Sequence, residues 1–163
     1  MSKSKSAVID KPAETQPTTA EGALVSGRTK YEAAMAKAEA AARSPELLES
    51  VRQFQNAIQM DPGSLEAYGW LAQTYRMIAA STRNSDPNRA EMLTRYACAV
   101  AWEGTARASS AAAIPIRTKQ EVRTLIAWLR ATRHLSAADA ENEMESLRHQ
   151  WIHAALTGAT SSV

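Results

Sequence analysis

Glu145, His149 and His153 follow one another at intervals of four residues, a spacing that lays all three on one face of a helix, where they could share a divalent cation. The same spacing describes a solvated polar stripe, and His149-Gln150-x-x-His153 lacks the glutamate that a zinc-protease helix carries after its first histidine. No metal site is therefore expected. Cys98 is the only cysteine; it stands within an apolar helical face with no base beside it, as a small buried thiol does and a nucleophile does not. A lone cysteine excludes an intrachain disulfide and the paired-cysteine zinc sites, and it fits a reducing cytoplasm. Arg117, Lys119, Arg123, Arg130 and Arg133 crowd one stretch against Glu121 alone, a footprint that would suit phosphate groups or an acidic partner. No nucleic-acid-binding motif accompanies it, and a solvated face is the simpler reading. Gly-rich phosphate loops, nucleophile elbows and paired acids in a plausible cleft are absent, so neither catalysis nor a cofactor is expected.

Such groups act only if helices or strands position them, and the composition points to helices. The 163 residues are 45% hydrophobic and 22% charged, with few aromatics and abundant alanine. That size suits one domain. Lys and Arg total 19 against 17 Asp and Glu, nearly balanced over residues 1–106 and tilting basic afterwards, so no overall field favours nucleic acid or an anionic membrane. The start of the chain has no apolar run of the kind a secretion signal needs, and Ser109 to Ile114 is too short to span a bilayer. A soluble, cytoplasmic protein without membrane insertion is the expectation.

Residues 1–27 are rich in Ser, Thr, Lys and Pro, include Gly22 and Gly27, and are read as a flexible tail. Six helices are expected to follow. Arg28 to Ala42 has high propensity and no internal Gly or Pro. Ser44-Pro45-Glu46 opens a second helix that stops before Asp61-Pro62-Gly63, and Ser64 caps a third that reaches the polar loop Ser81 to Ser85. Asp86-Pro87 begins a fourth, which runs toward Ala108. Val122, Leu125, Ile126 and Leu129 form the stripe of a fifth, and Ser136 with Asp139 caps a sixth through Ala154. Residues 158–163 are read as a flexible end.

Tyr68-x-x-Leu71-Ala72-x-x-Tyr75 and Ser50-x-x-x-Phe54-x-x-Ala57-x-x-x-x-Pro62 resemble the two halves of a tetratricopeptide repeat, in reversed order across a repeat junction. Small residues such as Ala57 and Ala72 would let helices approach while Phe54, Tyr68 and Tyr75 fill the gaps between pairs. The resemblance implies an all-α fold over residues 28–157, with antiparallel hairpins stacked as a short right-handed array and residues 116–157 as a C-terminal capping hairpin.

The resemblance further implies a concave groove lined by the first helix of each repeat. Its positions would be Glu32, Met35 and Glu39 on one helix and Glu66, Gly69, Gln73 and Arg76 on the next, with Trp70, beside Gly69, as a partly exposed binding aromatic. Three acids there would favour a basic or amphipathic segment of another protein. The implied function is a non-catalytic adaptor, assembly factor or chaperone-like module; the alternatives are a permanent structural subunit of a larger complex and, less directly, a nucleic-acid-binding protein.

Overall fold

Thr19 opens the first helix. Its side-chain oxygen accepts a hydrogen bond from the Gly22 N–H at 3.0 Å, and Glu21 stands at the positive end of the helix dipole. This helix, α1, spans Ala20–Met35. It starts well before Arg28, in the stretch read as tail, and ends short of Ala42. The computed structural model describes residues 16–39 and 43–158; the rest of the expected tail, the expected helix end at residues 40–42 and residues 159–163 lie outside them. Propensity misplaced α1 because two glycines counted against it, whereas packing decides its position. Ala23, Leu24 and Gly27 are buried, and a Cβ on Gly27 would lie only 2.5 Å from Cε1 of Phe54. The glycine is thus the point of closest approach to the second helix, and Ser50 Oγ donates to its carbonyl oxygen at 3.1 Å.

α2 spans Ser44–Met60, with Pro45 in its first turn; Ser44 lies inside the helix and makes no capping hydrogen bond, unlike the expected cap. At the other end Asp61 Oδ1 accepts from the Gly63 N–H at 3.0 Å, the local turn that stops the helix and reverses the chain. α3 spans Leu65–Thr82. α4 covers Pro87–Arg107, with the Asp86 carboxylate capping the Arg89 N–H at 3.1 Å. A 3-10 turn at Ala111–Ala113 leads into α5, Ile116–Arg133, which ends at His134 in the left-handed region with φ 55°. α6 spans Ala137–Thr157, and Ser136 Oγ accepts from the Asp139 N–H as its pattern predicts. The described residues form six α-helices and no strand, and none of these helices is long and apolar enough to cross a membrane.

Most residues behind the repeat-like spacing turn inward: Phe54, Ala57, Tyr68, Leu71, Ala72 and Tyr75 are fully buried, whereas Pro62 is exposed in the turn after α2. Removing a large apolar side chain of this kind from water contributes about 1.5–3 kcal/mol. α1 packs along α2, α3 along α4, and α2 against α3, while α5 lies across α3 and α4. The last two helices depart from the expected capping hairpin, because α6 packs chiefly on α4 and touches α5 only lightly. Side chains explain the choice. Tyr96 of α4 meets the Trp151 ring with centroids 5.9 Å apart, Trp102 Nε1 donates to Glu145 at 2.8 Å, and Arg148 reaches back to Glu103 at 3.0 Å. The end of α6 is held by two other helices, since the Ala155 carbonyl accepts from Gln55 Nε2 and from the Tyr75 hydroxyl. Gln59 Nε2 donates to the Leu156 carbonyl at 3.1 Å. Carbonyls that a helix terminus leaves without intrahelical donors are satisfied in this way by α2 and α3.

Candidate functional site around Trp70

The first turn of α5 lies against α3 because residue 69 has no side chain. A Cβ on Gly69 would sit 2.7 Å from Thr118 Oγ1 and 2.9 Å from its backbone nitrogen. Two further contacts fasten the crossing. Gln73 donates to the Tyr31 hydroxyl at 2.7 Å and accepts from Arg117, and Arg76 donates through Nε and Nη2 to both carboxylate oxygens of Glu121, at 2.8 and 3.0 Å. Gly69, Gln73 and Arg76 are therefore taken up by the chain's own fifth helix and do not line an open groove. Glu32 and Glu39 are exposed on the surface and Met35 packs against the core, so the acidic groove anticipated from the sequence is not assembled.

Trp70 departs from expectation in an informative way. It is 8% exposed. Tyr31 meets it edge-on at 5.5 Å between centroids, Phe54 stacks along it at 5.9 Å, and the Arg117 guanidinium carbon lies 3.6 Å from the ring centroid. A second guanidinium, that of Arg28, lies 5.4 Å from the same centroid. The indole forms part of the lining of a surface depression of about 760 Å³ between α1, α3 and α5. Leu24 adds buried apolar surface, and Ile116 adds the most exposed large apolar side chain described, at 72%. Glu21 and Arg28 reach it from α1, Glu66 from α3, and Arg117 and Gln120 from α5. Of the eight residues assigned to the groove from sequence, Glu66 and Trp70 are here.

The volume falls in the range of sites that take a small molecule or a few side chains of a partner. Charge is balanced, with two acids and two bases around the exposed Ile116 in a depression whose lining is mainly polar. Among the described residues none of these four charges takes part in an ion pair, in contrast to Arg76 and Glu121 close by. Burial pushes the Tyr31 phenol above its ordinary range, outweighing the hydrogen bond from Gln73, so at neutral pH its hydroxyl is a neutral partner for Gln73.

The other candidates resolve differently. Of the five cations on α5, Arg117 is held on Trp70 and Arg133 pairs with Glu143, leaving Lys119, Arg123 and Arg130 exposed. His149 Nε2 lies 2.8 Å from Glu145, whose oxygens also accept from Arg148 and Trp102; among the described residues no group of three His, Cys, Asp or Glu side chains could hold a metal ion. Cys98 is buried, and burial pushes its thiol up to about 12, which leaves it protonated at neutral pH.

Sequence reasoning missed Glu21, Leu24 and Arg28. A signal for them exists, in Ala20, Ala23, Leu24, Gly27 and Tyr31 at helical spacing behind Thr19. Arg117 was visible only as one member of a basic run. Comparison of the chain with models of protein families, with curated proteins and with solved structures finds no match in any of the three.

Proposed function

We propose that this chain is a non-catalytic protein-binding module, serving as an adaptor, assembly factor or chaperone-like unit, and that it holds a segment of a partner protein in the depression around Trp70. One observation carries the reading: the exposed Ile116 side chain, beside the nearly buried Leu24 and Trp70, is ringed by Glu21, Arg28, Glu66 and Arg117, four charges without ion-pair partners among the described residues. Apolar centres with polar rims characterise surfaces that capture protein segments. The repeat-like spacing from Ser50 to Tyr75 adds a resemblance to a family of tetratricopeptide-repeat scaffolds. An amphipathic segment suits the balanced rim better than a purely basic one, since Arg28 and Arg117 would repel the latter.

A permanent structural subunit has less support. The large apolar residues exposed in the described chain are Val25, Met60 and Ile116, whereas a face kept buried in a complex would be broad and continuous.

The test is site-specific crosslinking in the native source. A photo-crosslinking residue at Gln120, on the rim, should capture one specific protein, and the same group at the exposed position Glu141 of α6 should not. The Ile116→Ser variant should lose the capture. Equal capture from both positions would sink the assignment of the depression.

A further inference from the structure

We infer that Arg28 and Arg117 together form a clamp for an acidic side chain of the bound segment, placed next to an apolar residue that packs on the exposed Ile116 beside the edge of Trp70. The inference rests on reading the depression as the partner-binding surface. Both guanidinium carbons are held on one indole, at 5.4 and 3.6 Å from its centroid, so they can be no farther apart than those two distances laid end to end. Both also line the same depression, so one carboxylate entering it can accept from each of them at about 2.8 Å. Arg117 gives an N–H to Gln73, and a guanidinium has five to give. Stacking on the ring fixes the direction of the others without consuming them.

The start of α5 adds to the attraction. Pro115 at its N-cap position supplies no side-chain hydrogen bond, and the first turn of the helix contains no acid, so the helix itself places no negative side chain at the positive end of its dipole. Glu21 and Glu66 face the same space. They set the balance: a run of acids would be repelled, whereas one acid flanked by neutral or basic residues meets two guanidinium groups and leaves the glutamates for a cation. The segment is thus amphipathic with mixed charge, which narrows the basic or amphipathic segment expected when Glu32, Glu39 and Glu66 were taken to share a groove.

The experiment titrates the full-length chain with three acetylated, amidated alanine-based peptides that carry one leucine and, three positions later, a glutamate, a glutamine or a lysine. Inorganic phosphate is a fourth probe. The readout is the NMR signals of the Trp70 indole N–H and the Arg28 and Arg117 Nε–H groups. The glutamate peptide should move all three saturably, with affinity about tenfold above the glutamine peptide. Added salt should weaken it. Arg28→Gln should abolish the difference between these peptides; Arg28 is exposed, so the fold should survive, and Arg117→Gln serves as the second variant. If the glutamine or lysine peptide binds as well as the glutamate peptide, the clamp is wrong while the binding depression stands. Phosphate binding tighter than the glutamate peptide overturns the carboxylate assignment. If no peptide moves the Trp70 signal, the clamp and the proposed function of the depression fail together.

Discussion

The guanidinium of Arg117 lies 3.6 Å from the centre of the Trp70 ring, so a residue of α5 covers the aromatic that the repeat resemblance implied as a partly exposed binding residue. Trp70 also joins Tyr31 and Phe54, and its removal is a core deletion before it is anything else. Trp70→Ala should destabilise the chain by about 3–5 kcal/mol, measured by urea denaturation. Ile116→Ser, at the exposed edge of the same depression, should stay within about 0.5 kcal/mol of the parent. A Trp70→Ala variant of unchanged stability would show that the indole is not packed as described.

Arg76 and Glu121 join α3 to α5 with two parallel hydrogen bonds. The Glu121 side chain is 5% exposed and that of Arg76 33%, so water screens the pair from one side only. Arg76→Ala leaves a carboxylate buried without its cation and should cost about 2–3 kcal/mol. A double-mutant cycle with Glu121→Ala should return a coupling of about 1–2 kcal/mol, and additive effects would contradict the paired geometry.

Glycine positions offer a test of sign. In an exposed helix, replacing glycine by alanine gains up to about 1 kcal/mol of propensity. At Gly27 the new methyl meets the Phe54 ring, and at Gly69 it meets the backbone of Thr118; neither obstacle is the loose end of a flexible side chain. Gly27→Ala and Gly69→Ala should therefore each lose about 1–3 kcal/mol, read as a fall in denaturation midpoint. The second should also shift the Arg117 and Trp70 signals, because α5 has to move away from α3.

These glycines show where the sequence could be read and where it could not. The large residues Phe54, Tyr68 and Tyr75 and the small residues Ala57 and Ala72 announced the core of α2 and α3, because their spacing repeats at the helical period and all of them bury. Asp86 and Ser136 announced two helix starts through caps that depend only on near neighbours. Gly27 carries the opposite local signal, and only the Phe54 ring across from it makes it favourable within a helix. The depression has the same origin, since Arg28 and Arg117 stand far apart in the chain and share one indole through the packing of α1 and α5. Pairings of that kind have no periodicity to reveal them.

Glu145 yields a prediction in pH. Its carboxylate accepts hydrogen bonds from Arg148 and from the Trp102 indole, and these, the arginine foremost, hold its pKa down at about 2 from an ordinary value of 4.5. A depressed folded-state pKa means that the unfolded chain binds the proton more readily. The stabilisation is therefore complete above about pH 4.5 and is lost progressively as the pH falls toward 2. Because Arg148 also holds Glu103 of α4, protonating Glu145 frees only one side of the link between α4 and α6. Acid should accordingly weaken the packing of α6 before the rest of the core. A carboxyl-carbon NMR titration should place the midpoint of Glu145 near 2 in the parent and higher in Trp102→Phe, which removes one donor but keeps an apolar ring in place. Glu145→Gln should flatten the stability curve between those two pH values. A midpoint near 4.5 in the folded parent would mean that neither hydrogen bond forms in solution.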